Sequence, residues 1–239
     1  MAGRGTVGAL LGSGLLAITA LGAAGGYGVG LLTEVEGSST AFGTAAPLGT
    51  VKPVTPTPSA PTATPRPVKR DNAPALDPGG LSYKTRSFTV KYVYKSRVTV
   101  RVPGDWRMTQ PDPPINARFT DPTSKRWIRI EAGFTIRRPP ADSMAERIEQ
   151  LDKLDPSQML TIISSVTEDN YATLIYSYVP PESQAPEAVL RYVIVRWVAD
   201  ATGNCAVEMG STGLPQDAKA LIDVLDHATS SVVREDSPL

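Results

Sequence analysis

Arg97-Val98-Thr99-Val100-Arg101-Val102-Pro103-Gly104-Asp105-Trp106 reads as a half-buried β-strand that ends in a tight turn. Val98, Val100 and Val102 alternate with Arg97, Thr99 and Arg101, so a period of two sends one set to a buried sheet face and the other into water. Pro103 presets φ and Gly104 accepts turn conformations, which ends the strand in a tight turn. Trp106 is then expected to fold back as a lid on the sheet edge. Upstream, Phe88, Val90, Tyr92 and Tyr94 share one face of a preceding strand, with Lys91 and Lys95 on the other.

Working outward, the same alternation predicts strands over Ala117–Thr120, Trp127–Ile136, Gln158–Thr167, Ala172–Val179, Ala188–Ala199 and Asn204–Ser211. Turn residues at Asp121-Pro122, Glu168-Asp169-Asn170 and Ala201-Thr202-Gly203-Asn204 separate several of them. Val189, Val193, Val195 and Trp197 are expected under a helix, with Leu190, Tyr192 and Ile194 on the other face. Two helices interrupt the meander. Asp142 can cap the first, which buries Met144, Ile148 and Leu151. The second starts near Pro215, tolerated in a first turn, and buries Leu221, Leu225, Ala228 and Val232. The expected class is α+β, an antiparallel β-sheet meander flanked by two helices.

Composition divides the chain of 239 residues into three zones. Residues 1–36 are apolar and Gly-rich, 37–80 are rich in Pro, Thr and Ala, and 81–239 have globular composition. The 26 residues Val7–Leu32 carry no charge. As a helix they would reach about 39 Å, enough for a hydrocarbon core of about 30 Å. Arg4 precedes the segment while Glu34 and Glu36 follow it, which favours the N-terminus inside and the rest outside. A cleaved signal peptide is the competing expectation, with Gly22-Ala23-Ala24 as small residues for cleavage. Both export the domain. They differ in whether it is a single-pass membrane protein anchored through Val7–Leu32 or secreted. Nine prolines from Pro47 to Pro78 make 37–80 a disordered, polyproline-favouring linker of about 130 Å at full extension.

With the strand ending Val102-Pro103-Gly104-Asp105-Trp106, the meander, the hairpin around Ala201-Thr202-Gly203 and a final helix ending Ala228-Thr229-Ser230-Ser231-Val232, residues 83 to 234 resemble the PsbP-like α/β domains of exported actinobacterial proteins, LpqN-type lipoproteins among them. The resemblance implies a binding or assembly role and no shared reaction, so it brings no catalytic residues. This chain departs from the LpqN pattern in having no lipobox cysteine after its apolar segment. It also has no kinase domain and no Gly-rich phosphate loop.

No catalytic, cofactor or metal constellation stands out. His227, the one histidine, lies on the predicted last helix, and Cys205, the one cysteine, sits among Ala206, Val207 and Met209 as a strand residue expected to be buried. A formal net charge of zero offers nothing to nucleic acid. Charge is nonetheless uneven: residues 81–138 hold 13 Lys and Arg against 4 Asp and Glu, whereas 139–239 hold 6 against 16. Lys91, Lys95, Arg97, Arg101, Arg129 and Arg137 are therefore the candidate partner surface, a basic face for anionic lipid headgroups, an acidic cell-envelope polymer or an acidic protein. The competing expectation is that acidic elements of the second half neutralise it. A sensory or small-ligand domain, with a pocket lined by Trp127, Trp197 and nearby tyrosines, is the alternative function. A cell-envelope hydrolase is the third; a buried carboxylate pair in a cleft would favour it.

Overall fold

The computed structural model describes residues 66–133 and 137–238. The expected membrane segment Val7–Leu32 and most of the linker lie outside the described residues. Among those described, no helix is long and apolar enough to cross a membrane.

The class is α+β, with antiparallel sheets and two helices. Instead of one meander there are two sheets. β1 (Tyr83–Lys91), β2 (Lys95–Pro103) and β10 (Val233–Ser237) form a small one with β2 in the middle. The large sheet runs β3 (Arg107–Thr109), β4 (Asn116–Thr120), β5 (Trp127–Ala132), β9 (Cys205–Gly213), β8 (Arg191–Ala199), β7 (Tyr171–Tyr178), β6 (Thr161–Thr167). Every pairing in both sheets is antiparallel. The helices are α1 (Pro140–Leu151) and α2 (Ala218–Ser231).

Alternation explains the layering. Val98, Val100 and Val102 are fully buried and face Ile128, Ile130, Phe119 and Met209 of the large sheet, with Leu221, Val224, Leu225 and Ala228 of α2 in the same core. Trp106 closes this core at 3 % exposure, as the turn chemistry predicts. The other face of the large sheet packs Leu174, Tyr176, Val193, Val195 and Trp197 against Leu151, Met144 and Ile148 of α1.

Three local expectations change. The run Phe88–Tyr94 is not one strand: Phe88 and Val90 are buried, but Tyr92, Val93 and Tyr94 form the exposed bend between β1 and β2. Asp142 does not cap α1 but sits in its first turn, where its charge favours the helix N-terminus; the N-cap is Pro139, and Pro140 with its fixed φ takes the first position. The stripe of α1 also buries Arg147, which stands three residues after Met144 and four before Leu151, a charge on the otherwise apolar face.

Residues 66–80 run along the ends of the large-sheet strands and are tied to them. Lys69 N–H donates to the Ala188 carbonyl at 2.9 Å, and Lys125 Nζ meets Asp71 at 2.8 Å. Leu76 N–H donates to Asp217 Oδ1 at 2.8 Å. Asp217 is fully buried between β9 and α2. It also accepts Arg126 Nε and Nη2 at 2.8 and 2.9 Å and Leu214 N–H at 3.0 Å. Gly213 makes this junction fit: a Cβ there would lie 3.1 Å from both Asp217 Oδ2 and Leu221 Cδ1.

Candidate binding surfaces

The first surface is the outer face of the small sheet. Because β1 and β2 bury their even-numbered residues Val90, Ser96, Val98 and Val100, the odd ones face water. Register then aligns Lys91 with Lys95, Thr89 with Arg97 and Thr85 with Arg101. Lys91, Lys95, Arg97 and Arg101 are all exposed. β10 sets Glu235 opposite Arg97, Ser237 opposite Lys95 and Val233 opposite Thr99. Four cations thus meet one strand-borne carboxylate, amid the hydroxyls of Thr85, Ser87, Thr89 and Thr99. Lysines directly opposite one another, as Lys91 and Lys95 are, repel and gain from an anion above them. A shallow hollow of about 430 Å³ adjoins the face, lined by Thr85, Ser87, Arg86, Arg107, Trp106 and Met108.

The other two predicted members lie elsewhere. Arg137 is exposed on the connection from β5 to α1. Arg129 pairs in register with Arg118 and Gly210, which puts it on the α1 side of the large sheet. Its guanidinium lies 2.9 Å from Glu131, so it is a half-buried ion-pair member and not part of the exposed face.

That α1 side is the second surface. Glu131 and Glu208 stand opposite each other across β5 and β9, both buried. Glu208 is fully committed: Arg147 Nη2 of α1 donates to Oε1 at 2.8 Å and Trp197 Nε1 to Oε2 at 2.8 Å. Glu131 has Arg129 near it without hydrogen-bond geometry at Oε1. Burial, opposed by Arg129 and reinforced by Glu208, pushes its carboxyl up to about 7 from 4.5. An acid that binds its proton more tightly when folded lends stability at low pH and loses it as pH rises. The melting temperature is therefore expected to fall between about pH 4.5 and about 7 on this account. Glu131→Gln should flatten that slope in a pH series of thermal melts; an unchanged slope would refute the assignment.

Elsewhere on the same sheet face two arginines form no ion pair with a carboxylate among the described residues. Arg118 on β4 stacks 4.1 Å from the centre of the Trp127 ring, and Arg191 on β8 lies 5.6 Å from the same ring. Burial, together with repulsion from Arg129 and Arg191, lowers Arg118 to about 10. Burial lowers Arg191 as well. Arg191 Nη1 donates to the Lys125 carbonyl at 3.2 Å. Arg118 Nε, Arg191 Nε and Trp127 Nε1 are buried donors with no acceptor. Sequence reasoning named Trp127 and Trp197 as pocket aromatics and missed the arginines. The signal was the spacing Trp127-x-Arg129-x-Glu131, which puts charges on a strand face that also carries a large aromatic.

The remaining candidates offer little chemistry. Cys205 is buried, and burial and then Glu208 push its thiol up to about 12, which keeps it protonated. His227 stacks on Tyr83 with ring centres 3.7 Å apart, and its Nδ1 is hydrogen-bonded with the Asp223 carbonyl at 2.9 Å. Among the described residues no group of three or more His, Cys, Asp or Glu could hold a metal ion.

The chain matches no protein-family model and no curated protein. Among solved structures it is similar to the Ran-binding protein Mog1p of Saccharomyces cerevisiae, at 12 % identity over 64 % of this chain and 96 % of that one, with a TM-score of 0.43. At that degree of likeness nothing about binding passes to this chain.

Proposed function

We propose that this chain is a non-catalytic, membrane-anchored binding module held outside the cytoplasm, and that its partner is an acidic cell-envelope polymer laid along the outer face of β1, β2 and β10. The observation that carries this reading is the alignment of Lys91, Lys95, Arg97 and Arg101 on one exposed sheet face with a single strand-borne carboxylate among them. Arg101 to Lys95 spans about 20 Å of strand, a length suited to several successive charges of a linear polyanion. The uncharged run Val7–Leu32 and its flanking charges support the anchor and the outward placement. The PsbP-like resemblance, with its binding and assembly roles, agrees with this reading.

The test is retention of the full chain on an immobilised polyanion. Lys91→Glu with Arg101→Glu is expected to weaken binding at least about tenfold and to reduce its salt dependence. The melting temperature should stay within about 2 °C, since exposed substitutions cost little. Retention that survives the double substitution would sink the proposal.

A further inference from the structure

We infer that the α1-side face of the large sheet holds a second, separate binding site, for an oxyanion (a carboxylate or phosphate group), formed by Arg118, Arg191 and Trp127 over Gly210.

The first ground is a contrast within the molecule. The other buried or half-buried arginines among the described residues are compensated: Arg126 by Asp217, Arg129 by Glu131, Arg138 by Glu146, Arg147 by Glu208, Arg196 by Asp226 and Arg234 by Asp236, while Arg66 donates to the carbonyls of Pro180 and Ala185. Among the described residues Arg118 and Arg191 form no ion pair with a carboxylate. The acids nearest Arg191 are engaged elsewhere, Asp71 by Lys125 and Asp217 by Arg126. Two guanidiniums that repel one another around a shared indole cost stability where they stand, and an anion between them removes the cost.

Unpaired donors on one sheet face are the second ground. Arg118 Nε, Arg191 Nε and Trp127 Nε1 are buried and lack acceptors, and an oxyanion is acceptor only. A guanidinium fork matches the two oxygens of a carboxylate or phosphate.

Space is the third. Gly210 lies in the row between Arg129 and Val195, in the middle of the large sheet. A Cβ built on it would meet nothing within 4 Å. A glycine inside a central strand weakens it and marks a place where something approaches the backbone closely. Its φ is not in the left-handed region, so conformation does not require glycine there. Open room, uncompensated cations and orphan donors occupy the same sheet face.

The experiment is a thermal melt of the full chain with sodium phosphate or sodium acetate, each against sodium chloride at equal ionic strength. At about ten times its dissociation constant, at least one anion should raise the melting temperature by about 3 °C or more over chloride. Phosphate alone acting would indicate a phosphoryl group, and acetate acting as well a carboxylate. Arg118→Met should lose the response and, without anion, melt no lower than the wild type, because it deletes an unpaired charge. Gly210→Leu should lose the response by filling the space while keeping both arginines. Lys91→Glu with Arg101→Glu should retain it, which separates this site from the basic face. No response beyond chloride overturns the inference, as does one that survives both Arg118→Met and Gly210→Leu, or one lost only in the charge-reversed pair.

Discussion

Asp217→Ala is expected to lower the unfolding free energy by about 3–5 kcal/mol, the usual cost of stripping one partner from a buried ion pair. Its carboxylate accepts from Arg126 twice, from Leu76 N–H and from Leu214 N–H, at distances from 2.8 to 3.0 Å. Removing it leaves Arg126, at 5 % exposure, with Asp121 at 3.4 Å as its one carboxylate beside the Pro74 carbonyl, and strands two backbone donors. Asp217→Asn keeps the shape but cannot accept everywhere, so it should fall between wild type and alanine. Urea unfolding with an unchanged slope would check the order. A loss under about 1 kcal/mol for alanine would mean that water replaces the carboxylate at no cost.

Arg147→Ala should cost a similar amount, about 3–5 kcal/mol, through Glu208. The arginine is 4 % exposed, and without it Glu208 faces Glu131 with Arg129 as the remaining cation. Replacing the pair together is the informative comparison. Arg147→Met with Glu208→Leu removes both charges and keeps the volume, so most of the loss should return. A shortfall of about 1–3 kcal/mol is expected to remain, because Trp197 Nε1 then has no acceptor. Should the double variant be no better than Arg147→Ala, the contribution of Arg147 would be packing against Trp197, 5.9 Å away, and not charge.

How much of this was legible in the sequence follows from what periodicity encodes. Alternation fixes which face a residue takes, so Val98, Val100, Val102, Val193, Val195 and Trp197 were placed correctly. It says nothing about which strands pair. β9 inserts between β5 and β8, and β10 leaves the large sheet to join β2, through contacts distant in sequence. The bend at Tyr92–Tyr94 carries no Gly, Pro, Asn or Asp, so no turn chemistry announced it. On the sites, four of the six basic residues could be put together because they sit on neighbouring strands with a short bend. Arg129 went astray because its burial depends on Glu131 and on Glu208, which is 79 residues away from it in sequence. The unpaired state of Arg118 and Arg191 is a property of three separate strands and appears in no local window.

The strap from Arg66 to Leu76 also has a mechanical side. Any pull on the chain ahead of Arg66 enters the fold through this strap and not through the end of β1. Its outermost fastening is the Arg66 guanidinium on the Pro180 and Ala185 carbonyls, followed by the Lys69–Ala188 hydrogen bond and the exposed Lys69–Glu187 pair at 2.6 Å. Behind them the load meets Asp71–Lys125, then Arg126 on Pro74 and the Leu76 N–H on Asp217. Under rising tension the strap should peel in that order while the two sheets stay intact. Asp217 is then the latch at which a pull on the strap becomes a pull on the two sheets.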